Sequence, residues 1–329
     1  MQPAINDIAE QLKKSPKKKL VCLSTTANVN NPDFYVGSFR ETSTTLAANF
    51  IFASLDQLAT TIETFDPFID AFLIDCEYKN EINDLLKAAQ KLIKYSPVLS
   101  YKPNDITVDA LDMWVSLSLP EIEDQKVSII GAGNIGAKIA LKLAERGAHV
   151  ALFGRDFPKT EKIAESLGLI LRGNGSIKSA LTQEEAAQNS LLLLGCTPGI
   201  AYISPESVEN LHPKATLIDV GNGTLTTEAI KKANDKNLTL LCLSPNAGYA
   251  GFIEHWEQAQ LMLNKLGRKT LENGVSLISP GLIGQKGDVL VDDLHSPSRI
   301  IGVCDGKGDI LNEREARPYR EKVKEYDLK

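Results

Sequence analysis

Val127-Ser128-Ile129-Ile130-Gly131-Ala132-Gly133-Asn134-Ile135-Gly136 is the stretch on which the fold turns. Four strand-forming residues run into three glycines at G-x-G-x-x-G spacing. Ile139, Leu141, Leu143 and Ala144 then follow at helical spacing. Three glycines at this spacing mean little alone; between a strand and a helix each has a task. Gly131 permits the tight turn, Gly133 lets a pyrophosphate approach the backbone, and Gly136 lets the helix pack closely on the strand. Asn134 and Ile135 open the helix, where free backbone N–H groups can hold phosphates. The stretch therefore implies a dinucleotide-binding turn.

Working outward, the next strand ends Val150-Ala151-Leu152-Phe153-Gly154-Arg155-Asp156. An Asp or Glu at this strand end bonds the ribose hydroxyls of NAD. An Arg can instead pair with the 2′-phosphate of NADP and stack on adenine. Arg155 favours NADP, and Asp156 leaves NAD open. Small-residue turns follow two later strands. Cys196-Thr197-Pro198 and Gly221 are expected to lie against the cofactor or to be ordinary turns.

On both sides of this unit, apolar runs alternate with helical patterns, the mark of α/β architecture. Residues 1–106 read as an N-terminal α/β substrate and catalytic domain. Strands are expected at Lys19–Ser24, Phe68–Cys76 and Pro97–Ser100, and helices at Thr42–Phe52, Asp56–Phe65 and Lys79–Lys94. Residues 107–125 read as a bridging helix and linker, and 126–250 as a Rossmann NAD(P)-binding domain. The remainder, 251–329, reads as a returning helix and a small, glycine-punctuated C-terminal extension.

Composition excludes several classes. At 43% hydrophobic and 24% charged, the 329 residues suit a globular protein of two domains. A net charge of −6 without a basic domain argues against nucleic acid as partner. No apolar run nears the roughly 20 residues of a membrane span, and the opening residues are polar. Cys22, Cys76, Cys196, Cys242 and Cys304 are scattered, without a CxxC pair, and the four histidines lack metal-ligand spacing. Buried thiols, no metal and a cytoplasmic location are the expectations, with a homodimer left open.

The order of α/β domain, bridging helix, Rossmann domain and returning helix resembles shikimate dehydrogenase and its relatives over about residues 20–270. The methylene-tetrahydrofolate and methylene-tetrahydromethanopterin dehydrogenases share that plan. Three segments carry the likeness. Ile74-Asp75-Cys76-Glu77-Tyr78-Lys79-Asn80-Glu81 matches the place of the family's catalytic Lys, which points to Lys79. Asn104-Asp105 with Thr107 and Asp109 stands where the family has Asn-Thr-Asp, in broken form. Gly248-Tyr249-Ala250-Gly251-Phe252 precedes Gln258, in the place of a substrate-binding Gln. The family's Ser-x-Ser signature is not recognisable. Separately, Gly37-Ser38-Phe39-Arg40-Glu41-Thr42 is similar to a Gly-Ser-Phe-x-Glu-Ser segment in the pyrrolysine-biosynthesis dehydrogenase, which oxidises an amine.

The resemblance implies hydride transfer between nicotinamide and a small polar hydroxy or keto metabolite bearing a carboxylate. Lys79 would be the acid–base group with Asp105 or Asp109 as partner, if the two segments meet. Arg40, Glu41 and Gln258 are the candidate substrate contacts. Dehydrogenation of a C–N bond, in an amino acid or a pterin-type substrate, is the alternative within enzymes. A non-catalytic dinucleotide sensor is the alternative outside them.

Overall fold

The computed structural model describes residues 2–28, 30–79 and 84–324. The chain divides into two compact units, Met1–Gly251 and Phe252–Lys329. The first unit opens with α1 (Gln2–Lys13), β1 (Lys18–Thr25), β2 (Phe34–Glu41), β3 (Thr45–Phe52), α2 (Leu58–Phe65) and β4 (Ala71–Asp75). Then come α3 (Leu85–Leu92), β5 (Val98–Tyr101) and the long bridging helix α4 (Pro103–Ser118). The strands form a sheet in the order β2-β3-β1-β4-β5, with β2 antiparallel and the rest parallel.

One face of this sheet is apolar. Val21, Leu23, Ala48, Phe50, Phe52, Phe72 and Ile74 pack against Ile5, Leu12, Ile62, Phe65 and Leu85 from the helices. Because side chains alternate along a strand, the intervening residues, among them Cys22, Ser24, Asn49 and Asp75, share the opposite face.

Two expectations are corrected here. The segment read as a helix over Thr42–Phe52 is the strand β3, and the polar stretch before it, Val36–Glu41, is strand as well. The physical reason is burial: β3 is buried at seven of its eight residues. A strand covered on both faces loses the period-2 signal and can pass for a helix. The helix read over Lys79–Lys94 is α3, beginning at Leu85 with Asp84 as its N-cap. Its first expected turn, with Asn80, Glu81, Ile82 and Asn83, lies outside the described residues.

The second half of this unit runs β6 (Lys126–Ile130), α5 (Asn134–Glu145), β7 (His149–Phe153), α6 (Phe157–Ile170), β8 (Ser176–Ala180), α7 (Gln183–Ala187) and β9 (Leu192–Gly195). It continues α8 (Pro205–Glu209), β10 (Thr216–Asp219), α9 (Thr227–Asp235) and β11 (Thr239–Cys242), and α10 (Asn246–Lys265) begins at its end. All six strands are parallel, in the order β8-β7-β6-β9-β10-β11. Numbered within this sheet, that is the 3-2-1-4-5-6 order of a Rossmann domain.

Both faces of the sheet are covered. Val127, Ile129, Leu192 and Leu194 pack with α5 and with Val108, Leu111 and Val115 of α4. Ile130, Leu193 and Leu217 pack with Val208 and Ala229 on the other side. The switch point between β6 and β9 therefore opens a crevice at the carboxyl ends of the strands. Sequence reading missed β8, whose Ser-Ile-Lys-Ser-Ala is short, polar and at the sheet's edge.

In the second unit, after the later turns of α10, β12 (Arg268–Thr270), β13 (Ser276–Ile278), β14 (Val289–Val291) and β15 (Ile300–Val303) form a four-stranded sheet covered by α11 (Glu313–Val323). Buried Asp288 holds it together, taking Arg268 at 3.1 and 2.8 Å and the Gln285 N–H at 2.6 Å.

Candidate functional site

The glycine turn sits at the carboxyl end of β6. Gly131 has φ +120°, and a Cβ there would stand 2.7 Å from the Cys196 backbone carbonyl. Its N–H donates to the Phe153 carbonyl at 2.8 Å, and the Cys196 N–H donates to Ile130 at 2.8 Å, so the two loops are stitched together. A Cβ on Gly136 would collide with the Gly131 carbonyl oxygen, whereas a Cβ on Gly133 would meet open space. Gly133 caps α5 with no side-chain hydrogen bond, leaving the first-turn N–H groups unclaimed by a capping side chain. Asn134 is exposed and Ile135 turns its side chain into the core.

In front of this turn lies a pocket of about 280 Å³. Gly131, Gly133, Arg155, Asp156, Cys196, Thr197 and Pro198 all line it. Gly221 does not; it lacks a Cβ because one would strike the Thr197 carbonyl, so it supports the loop from behind. Asp156 is the N-cap of α6, accepting from the Lys159 N–H at 3.0 Å. One of its oxygens is thereby committed to the helix, whereas Arg155 is exposed at the pocket wall.

Further wall residues escaped the sequence reading, among them Lys159 and Thr160. Their signal was present: Asp156-Phe157-Pro158 is a cap followed by a first-turn proline, and Lys159 stands four residues after Arg155. The pocket thus carries two cations at the end of β7. Burial, and then the charge of Asp219, push the Cys196 thiol up to about 12, so it is a neutral wall and not a nucleophile.

A second polar cluster gathers where β1 and β4 end. Lys79 Nζ lies 2.7 Å from Asp75 Oδ2 and 3.4 Å from Glu77 Oε2, with the three side chains 9%, 0% and 10% exposed. Asp75 also accepts from Thr25 N (3.0 Å), Thr25 Oγ1 (3.2 Å) and Glu77 N (2.9 Å). Glu77 Oε2 accepts from the Asn104 N–H at 2.9 Å, and its Oε1 is buried with no partner. The Ser24 and Tyr101 hydroxyls bond each other beside it.

The expected pairing of Lys79 with Asp105 or Asp109 is not made. Asp105 binds Lys138 and Lys102, Asp109 binds Lys142, and Asp112 takes the Arg146 guanidinium at 2.8 and 3.0 Å. These carboxylates project from α4 toward α5 and clamp the bridging helix onto the Rossmann half. Burial opposes charge on Asp105, but Lys138 and Lys102 outweigh it and hold its carboxyl below the usual range.

Arg40 lies under the sheet with its guanidinium 5.4 Å from the Tyr249 ring centroid. Its neighbour Glu41 points elsewhere, exposed and bound to Lys17 at 2.8 Å. Gln258 belongs to the second unit, where it is exposed and donates to Glu254 at 2.9 Å. All five cysteines are free; Cys76 and Cys242 are exposed, contrary to the expectation of buried thiols. Both sit just past or at a strand end, where burial falls off. Among the described residues no His, Cys, Asp or Glu cluster could hold a metal, and no helix is long and apolar enough to cross a membrane.

Strand order, glycine turn and pocket together define a dinucleotide-binding protein of the Rossmann class. Residues 126–223 match the family described as NADP oxidoreductase coenzyme F420-dependent. The chain is similar to shikimate dehydrogenase (NADP(+)) of Methanosarcina barkeri (strain Fusaro / DSM 804), at 27% identity over 122 residues. That stretch spans 35% of this chain and 43% of the relative's length. Among solved structures it is similar to a shikimate dehydrogenase in complex with NADP+ (16% identity, TM-score 0.44, 68% of this chain and 84% of that one). It is also similar to the shikimate dehydrogenase of Aquifex aeolicus (16%, TM-score 0.43, 71% and 89%). A third is the 5-ketofructose reductase of Gluconobacter sp. strain CHM43 (18%, TM-score 0.41, 69% and 87%).

Proposed function

We propose that the chain is an NADP-dependent dehydrogenase acting on a small polar metabolite. The observation that carries this reading is the pocket wall at the end of β7. Arg155 and Lys159 supply two cations there, and Asp156 is engaged as a helix cap. A 2′-phosphate is dianionic and suits two cations, whereas a ribose diol needs a free carboxylate. The open space at Gly133 and the unclaimed first-turn N–H groups of α5 fit a pyrophosphate. When bound, the nicotinamide supplies or accepts the hydride.

The protein's own part is to hold the substrate and move one proton. In the reducing direction, a hydride adds to a carbonyl carbon, and the oxygen that becomes the hydroxyl must take a proton from an acid. Lys79, with Asp75 and Glu77 around its amine, is the group best placed for that transfer among the candidates. Asp75 replaces Asp105 and Asp109 as the orienting carboxylate in this proposal. Oxidation of a C–N bond is a second reading, which one atom accommodates equally. Glu77 Oε1 is a buried acceptor without a donor, and a substrate N–H satisfies it as well as an O–H does.

The test is direct. NADPH and NADH binding is measured by fluorescence titration. NADPH oxidation is then followed at 340 nm with a panel of keto acids, imines and cyclic ketones. NADPH binding at least tenfold tighter than NADH, with turnover on one class, supports the reading. Binding of neither nucleotide refutes it.

A further inference from the structure

Among the described residues, Arg40 has no counter-ion. Its Nη1 is shut off from solvent and has no hydrogen-bond partner, and no carboxylate pairs with it among the described residues. Burying an unpaired charge is strongly unfavourable, so such groups are normally matched. The groups that share its electrostatic environment are Cys22, Tyr101 and Tyr249. Burial pushes all three upward from their ordinary values, which keeps them neutral. None of them can serve as the missing anion.

Two more orphan atoms lie on the same face of the sheet. The Tyr249 hydroxyl is buried without a partner, and so is Asn49 Oδ1. Strand register gathers them. Asn49 stands opposite Gly37 on one side and Cys22 on the other. Gly37 leaves room there, since a Cβ would come within 2.5 Å of the Asn49 amide nitrogen. Gly248, next to Tyr249, lets the start of α10 lie close on α4, because a Cβ at 248 would strike the Ile106 carbonyl. Two glycines thus let the elements that carry Asn49 and Tyr249 pack closely, and three polar groups are left unsatisfied there, where buried polar atoms are ordinarily satisfied.

We propose that Arg40, Tyr249 and Asn49 form a subsite for a substrate carboxylate. Arg40 and Tyr249 donate to the carboxylate oxygens, and Asn49 Oδ1 accepts from a hydroxyl or ammonium on the neighbouring carbon. The subsite rests on the dehydrogenase reading and narrows its substrate to carboxylates that bear a hydroxyl or ammonium on the neighbouring carbon.

The probes are acetate, glycolate, glycolamide and inorganic phosphate, each at equal ionic strength, read as shifts in Tm of the full chain. Acetate and glycolate should raise Tm, glycolate more, and neutral glycolamide should not. Arg40→Met should abolish the carboxylate shift, Tyr249→Phe should weaken it, and Asn49→Leu should erase the advantage of glycolate over acetate. Without ligand, Arg40→Met should melt no lower than the parent, because it removes an uncompensated charge. A drop in its Tm would mean that Arg40 is structural. A carboxylate shift that survives in Arg40→Met, or equal shifts with glycolamide, would overturn the proposal; a larger shift with phosphate would overturn the carboxylate assignment. NADPH affinity, measured in parallel, separates the two readings: its failure sinks the dehydrogenase proposal while the carboxylate shift stays readable.

Discussion

Lys79 Nζ lies 2.7 Å from Asp75 Oδ2, four residues back along the chain at the end of β4. Asp75 is fully buried and already receives three hydrogen bonds from Thr25 and Glu77, so its position is overdetermined. The amine is anchored in turn, and Glu77 approaches it from the second side at 3.4 Å. A side chain with four rotatable bonds is thereby held in one geometry, as proton transfer requires.

This arrangement separates chemistry from folding. Lys79→Ala should lower turnover by about 10² to 10⁴, the usual contribution of general acid–base catalysis, with NADPH affinity unchanged. It should also lower Tm, because Asp75 and Glu77 would be left as two buried carboxylates without a cation. The double variant Glu77→Gln, Lys79→Met removes one of those charges and should recover much of the Tm but none of the turnover. Recovery of turnover in the double variant would show that Lys79 acts only on stability.

At the end of β7, Arg155→Ala and Lys159→Ala should each weaken NADPH far more than NADH. A hydrogen bond to a charged group contributes about 1.5–3 kcal/mol, which is roughly ten- to hundredfold in affinity. Asp156→Ala should behave differently. It removes the cap of α6 and costs about 1 kcal/mol of stability, with little change in the preference between cofactors. Comparing the two nucleotides across the three variants checks the division of labour. Equal losses for NADH and NADPH in Arg155→Ala would refute the 2′-phosphate contact.

The glycine turn was legible in sequence because strand, turn and helix each carry their own signal and the glycines answer to backbone geometry. The Arg40 strand and β3 were not. With both faces of β3 covered, Thr45–Phe52 shows no alternation, and the polar Ser38–Thr45 stretch looks like a cap. Asp105 and Asp109 were misassigned for a related reason. Spacing along α4 says that they share a helix side, but not that α5 offers Lys138 and Lys142 there. Lys79 was found through its resemblance, whereas its partners Asp75 and Glu77 sat unnoticed in the same quoted segment.

Gly133 and Gly136 should respond in opposite ways. Gly133→Val meets open space in the protein itself, so circular dichroism and Tm should change little while dinucleotide binding is lost. Gly136→Ala must displace the Gly131 carbonyl, so it should lower Tm and disturb the turn from within. A Gly133→Val protein that still binds NADPH tightly would remove the pyrophosphate from this position.

Asp66 offers a pH test of the N-terminal half. Burial works against its charge, but the N–H groups of Lys94 (2.7 Å), Tyr95 (3.2 Å) and Ser96 (2.8 Å) donate to its carboxylate. The net effect holds its carboxyl below the usual carboxylate range. A group whose pKa is depressed on folding stabilises the protein above its unfolded value, about 3.9 for Asp. That contribution is lost as pH falls through the lower, folded value. Asp66 therefore ties the segment before β5 to the end of α2 at neutral pH and releases it in acid. Asp66→Asn, which keeps the shape but loses the charge, should melt lower than the parent at pH 7. The gap in Tm should close as pH falls through the folded pKa, below about 3.9, because the parent then carries a neutral carboxyl as well. Melting curves from pH 7 down to the acid limit decide it, and a gap that persists unchanged would show that charge on Asp66 contributes nothing.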